Sequence, residues 1–214
     1  MTSGAQEATR EPARPTWVLT PLEKVGPLHF GMRAGEVGAA LPGARELIRF
    51  RADPFPPEIL GIQFGLRSAA PAVFAYFDDA GQLFCVAADA VGGPQVMLDS
   101  LELTGGVPGV LEQAILDLPQ LPGRGVSYGP RGNPGIDGLG LVLRAQETET
   151  GVATRPVLVG RKWADRCTDD WEGSIPECEW VGRQWPYPGR PSIWPPAGQK
   201  TNWPREWHEW RPPF

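Results

Sequence analysis

The chain has 214 residues, 41% of them hydrophobic, and a net charge of −5 at pH 7. That length supports one medium domain or two small ones sharing a core, and the acidity argues against a nucleic-acid binder, which needs a basic field to neutralise phosphates. No run approaches the ~18 consecutive apolar residues of a membrane-spanning helix, so no membrane partner is expected.

Residues 1–16 are polar and charged and lack the apolar stretch of a signal peptide, which predicts a disordered leader and a cytoplasmic protein. Residues 17–95 form the first predicted α+β half. A short strand ends at Phe30, Gly31 turns the chain, and a helix runs over 33–41 with Met32, Val37, Ala40 and Leu41 on its apolar face. Pro42-Gly43 ends that helix, and strands follow at 46–51 and 59–66 across a Pro-rich crossing. The clearest hairpin joins 72–77 (AVFAYF) to 82–88 (QLFCVAA) through Asp78-Asp79-Ala80-Gly81, whose acids read as turn chemistry.

The pattern then recurs over residues 96–160, the second predicted half. A helix at 107–118 places Val110, Leu111, Ala114, Ile115 and Leu118 on one face, and strand-like runs follow at 125–128, 139–145 and 156–160. The Gly-rich stretch 127–140 reads as a long hairpin loop. The predicted fold is therefore α+β, two strand–helix–three-strand pseudo-repeats forming antiparallel sheet, each half too poor in apolar face to stand alone.

Residues 161–180 are an acidic connecting segment, and residues 181–214 a Trp/Pro-rich extended tail. Eight of the nine tryptophans lie beyond residue 160. Trp185, Trp194 and Trp203 recur at even spacing, each followed by proline, and Trp207 and Trp210 close the chain. Proline stiffens such a segment, and each indole buries some 150–250 Å² when it packs, so the tail is expected to be an ordered strap on its own body or on a partner. Its excess of Arg and Lys complements the acidic body. Trp, Tyr and Arg are the residue types of interface hot spots, which makes Trp185, Trp194, Trp203, Arg205, Trp207, His208 and Trp210, together with Tyr76, the candidate partner-binding residues.

No catalytic residues are assigned. The two histidines, His29 and His208, have no nucleophile or orienting partner in any recognisable spacing, and no phosphate-binding or hydrolase motif is present. Cys167, Cys178 and His208 with Asp169 or Asp170 do not have the spacing of a zinc site, so neither a metal nor another cofactor is expected. Cys85 lies in an apolar run as a buried thiol, whereas Cys167 and Cys178 bracket an acidic surface loop as free thiols.

Gly31, Met32, Val37 and Leu41, closed by Pro42-Gly43, form an opening that resembles β-lactamase inhibitory protein and bacterial immunity-type proteins over about residues 22–160. The resemblance implies a tandem of two halves that presents a sheet face to another protein. The expected function is a non-enzymatic protein-binding module of the immunity or inhibitor kind, occluding a partner such as a basic toxin. The alternatives are a small-molecule or glycan-binding domain using the tail tryptophans and, third, an enzyme.

Overall fold

A computed structural model describes residues 14–52, 59–66, 69–120, 122–128, 132–168 and 175–180. The tail residues Trp185, Trp194, Trp203, Arg205, Trp207, His208 and Trp210 lie outside the described residues, as do positions 1–13 of the leader.

Among the described residues the fold is mixed α+β, with two sheets. The smaller is five-stranded, in the order β3-β2-β1-β8-β9. It comprises β1 (Thr16–Thr20), β2 (Lys24–Val25), β3 (Leu28–His29), β8 (Gln95–Leu98) and β9 (Leu101–Glu102). The larger is eight-stranded, in the order β10-β11-β12-β13-β7-β6-β5-β4. Its first meander is β4 (Arg45–Arg51), β5 (Leu60–Gly65), β6 (Val73–Phe77) and β7 (Leu83–Ala88). Its second is β10 (Val126–Tyr128), β11 (Pro134–Ile136), β12 (Leu141–Thr148) and β13 (Gly151–Val159). The meanders join antiparallel through their last strands, with Val157 opposite Ala87 and Val159 opposite Cys85. Helices α1 (Ala34–Ala40) and α2 (Pro108–Leu116) each precede one meander.

The turn chemistry of the first hairpin works as the sequence suggests. Asp78 Oδ1 accepts from the N–H groups of Ala80 and Gln82, an Asx turn that closes β6 onto β7. Gly31 sits at φ +94°, where a side chain would be strained, and its N–H donates to the Leu83 carbonyl, tying the start of α1 to β7.

Among the described residues each meander has four strands where the repeat was expected to have three: β4 to β7 match the four runs read at 46–51, 59–66, 72–77 and 82–88, whereas the second meander has one strand more than the three runs read there. The added strand is β11, hidden in the Gly-rich stretch. Gly135 has no β-propensity, but its bare Cα lets the Cys167 carbonyl lie against the strand where a Cβ would overlap it. The arms of the β12–β13 hairpin also run well past the expected limits, with Gln146 opposite Ala153 and Thr148 opposite Gly151. Residues there are polar because that end of the hairpin is half exposed, which erased the apolar signal.

The large sheet is buried on both faces. The first face packs Ile62, Phe64, Val73, Ala75, Phe77, Leu143 and Leu158 against Trp17, Leu28, Val37, Leu111 and Ile115 of the small sheet and helices. The second face presents Phe74, Tyr76, Cys85, Ala87, Val142 and Val157 to Cys167 of the 3-10 turns Arg161–Thr168, to Ile175, and to Cys178 of α3 (Glu177–Trp180). Two covered faces explain why AVFAYF and LFCVAA are continuous apolar runs without alternation. Each large side chain so buried contributes roughly 1.5–3 kcal/mol.

Two expectations change at this level. Val110 was placed on the buried face of α2, but the helix buries Pro108, Leu111 and Ile115, leaving Val110 68% exposed. The helix docks on a stripe rotated towards Pro108, about 100° per residue away from the outer side. Cys167 and Cys178 do not lie in a surface loop: both are buried free thiols in the second core, as is Cys85. The segment between them was read as solvated from its acids alone, whereas its Ile175 packs in the core on the sheet.

Candidate functional site

Two places concentrate chemistry. The first is a polar cluster sealed within the second face of the large sheet. Thr154 and Pro156 of β13 point to the first face, so Arg155 points to the second, where it is fully buried. Its Nε and Nη2 donate to the Glu179 carboxylate at 2.8 and 2.7 Å, a bidentate pair. Its Nη1 donates to Gln146 Oε1 at 3.2 Å and lies 3.6 Å from Asp89 Oδ2. The Phe74 ring lies against the guanidinium, 4.1 Å from centroid to Cζ. Tyr76 donates its hydroxyl proton to Glu179, and the Cys178 thiol points at the Tyr76 oxygen from 3.5 Å.

Electrostatics follow from this packing. Burial opposes the charge on Arg155, but the Glu179 carboxylate outweighs it and holds the guanidinium above its ordinary range. Burial, then the neighbouring Cys178 and Glu179, pushes the Tyr76 hydroxyl well above its usual value. Burial likewise raises the Cys85 and Cys167 thiols. Asp89 has two roles. Its Oδ1 accepts from the N–H groups of Val91 and Gly92 to turn the chain after β7, while Oδ2 accepts from Gln146 at 2.8 Å.

Tyr76, expected among the partner-binding residues, is therefore not on the exposed surface. It is fully buried beneath residues 175–180, because even-numbered residues of β6 face the covered side. The sequence contained a missed signal here: Arg144, between Leu143 and Ala145, and Arg155, next to the apolar run Pro156–Val159, fall opposite one another on β12 and β13, and both are buried. Paired arginines inside apolar strands imply buried carboxylates from elsewhere in the chain.

The second place is the outer surface built by residues 95–120. This stretch holds Asp99, Glu102, Glu112 and Asp117 and no Lys or Arg. On it Val107, Val110 and Leu116 are 65%, 68% and 45% exposed. Tyr128 of the adjoining β10 is half exposed and donates to Glu112 Oε1 at 2.7 Å, which fixes the ring beside the helix. The C-terminal end of α2 leads into a cleft of about 830 Å³ lined by Leu19, Leu98, Asp99, Leu118, Pro119 and Leu139.

Among the described residues no group of three or more His, Cys, Asp or Glu side chains is arranged to hold a metal ion, and His29 is exposed on β3. No helix among them is long and apolar enough to cross a membrane. No protein-family model, curated protein or solved structure matches the chain.

Proposed function

We propose that this chain is a non-enzymatic protein-binding module of the immunity or inhibitor kind, which acts in the cytoplasm by occluding a basic partner protein such as a toxin. The observation that carries the reading is the stretch of residues 95–120, which leaves Val107, Val110 and Leu116 exposed and contributes four carboxylates and no Lys or Arg of its own, with Arg14 reaching in at Thr104. Exposed apolar side chains on a helix are costly in water and become hot spots when a partner covers them. The surrounding acids steer a cationic partner and set its orientation. In the same reading the recurrence of hairpin, helix and four-strand meander is a duplicated unit, in line with the resemblance to β-lactamase inhibitory protein, and the tail tryptophans add contact area to the complex.

The test is direct. The protein encoded by the neighbouring gene is purified and titrated calorimetrically with the full chain, alone and as Val110→Asp/Leu116→Asp. Tight binding that weakens with salt and is lost in the double variant supports the proposal. A neighbour that is not toxic and does not bind, or binding indifferent to both substitutions, sinks it.

A further inference from the structure

The polar cluster on the second face of the large sheet divides into two unequal parts. One part is built entirely on the sheet. Phe74 and Tyr76 come from β6, Asp89 from the end of β7, Gln146 from β12 and Arg155 from β13. These groups position one another. Gln146 bridges Asp89 and Arg155, and Phe74 lies against the guanidinium. The planar fork of Nε and Nη2 is thereby aimed away from the sheet, with the Tyr76 hydroxyl beside it. Donors fixed in this way are ready for a carboxylate before it arrives, which lowers the ordering cost of binding.

The other part is one carboxylate, that of Glu179, delivered by residues 175–180. That segment adds no strand to the sheet. It is a short helical turn whose Glu179 N–H bonds to the Pro176 carbonyl of the same segment. It reaches the sheet with its side chains: Glu179 on Arg155 and Tyr76, Cys178 on Tyr76, and Ile175 in the apolar cluster around them. This is how a peptide ligand docks on a receptor, through an anchoring charge and flanking apolar side chains.

We propose that Arg155 and Tyr76, held by Phe74, Gln146 and Asp89, form a carboxylate-binding site, and that residues 175–180 are its built-in ligand, exchangeable for an acidic peptide of a partner protein that presents a glutamate between apolar residues. The occupant is specified by the resident ligand, since the fork matches a carboxylate and the walls around it are apolar. Exchange would release residues 175–180 and uncover the second face, so an acidic partner would be sensed there independently of the surface around α2.

Two probes test this on the full-length chain. Glu179→Ala removes a CH2–COO− group, for which acetate is the missing fragment. Acetate at 100 mM, against chloride at equal ionic strength, should raise the melting temperature of Glu179→Ala by about 3 °C or more while leaving wild type and Glu179→Ala/Arg155→Met unmoved. If Glu179→Ala does not fold alone, the same comparison is made on recovery of its native circular dichroism from urea, with acetate restoring it. No acetate-selective effect in either format overturns the site. The second probe is the peptide acetyl-SIPECEW-amide, expected to bind Glu179→Ala saturably, and at least ~10-fold more tightly than the peptide with Gln in place of the second Glu, since charge-assisted bonds are about twice as strong as neutral ones. Acetate rescue without peptide binding means that residues 175–180 are a fixed strut, and overturns the exchange.

Discussion

Glu179→Gln isolates the energetics of the sealed cluster, because it removes a charge while keeping shape. In the wild type both Arg155 and Glu179 are fully buried and share two hydrogen bonds of 2.7–2.8 Å. Taking the charge from one member leaves the other desolvated without its counter-ion, which typically costs 3–5 kcal/mol. Asp89 remains 3.6 Å from Arg155 Nη1 and retains part of the compensation. The expected loss is therefore at the low end, about 3 kcal/mol, or ~6–12 °C in melting temperature for a chain of this size. Arg155→Met should cost a similar amount. The informative variant is the double replacement Arg155→Met/Glu179→Met, which removes both charges and fills the volume with apolar atoms. It should lie closer to wild type than Arg155→Met or Glu179→Met alone, with a coupling energy of about 2 kcal/mol across the cycle of these three variants and wild type. The assay is urea unfolding followed by tryptophan fluorescence and by far-ultraviolet circular dichroism. A Glu179→Gln loss below about 1 kcal/mol, or a cycle that is additive within ~0.5 kcal/mol, would refute the reasoning.

Gly135→Ala drives a Cβ into the Cys167 carbonyl and should cost about 1–3 kcal/mol in urea unfolding; an unchanged midpoint contradicts the close packing of β11 on the 161–168 turns. Asp137 supplies a pH-dependent contribution: burial pushes its carboxyl up, but the N–H groups of Arg124 and Gly138 and the Arg124 guanidinium outweigh this and hold it below the usual range. A depressed folded value means stability present above the unfolded value of ~3.9 and lost as pH falls through the folded one, so Asp137→Asn should be about 1 kcal/mol less stable than wild type at pH 7 and converge on it in strong acid. A gap that widens on acidification would reverse the sign. The thiols Cys85, Cys167 and Cys178, all buried, should react with a disulfide reagent at least ~100-fold more slowly in the native protein than in urea, and rapid labelling of all three in the native state would show that the second face is open.

Local chemistry was legible where a residue's neighbours in sequence decide its conformation. Gly31, the Asp78 turn, the limits of α1 and the strands of the first meander could all be read from the chain, because turn geometry and apolar runs act over a few residues. Cys85 belonged to such a run and is buried as expected. What the sequence could not resolve is what covers each face. The runs at 72–77 and 82–88 demand two covers, yet nothing local says that residues 175–180 supply one of them, since Tyr76 and Glu179 meet across more than a hundred residues. The same non-locality hid β11, whose glycine makes sense only beside the Cys167 carbonyl, and turned Val110 outward, since the docking angle of α2 is set by the sheet beneath it. Sequence alone placed Arg144 within an apolar strand and left Arg155 just outside the run at 156–160. Only the tertiary structure decided that burial and the Glu179 carboxylate make Arg155 the organising charge of the second face, because the strength of an ion pair depends on the water that the surrounding fold excludes.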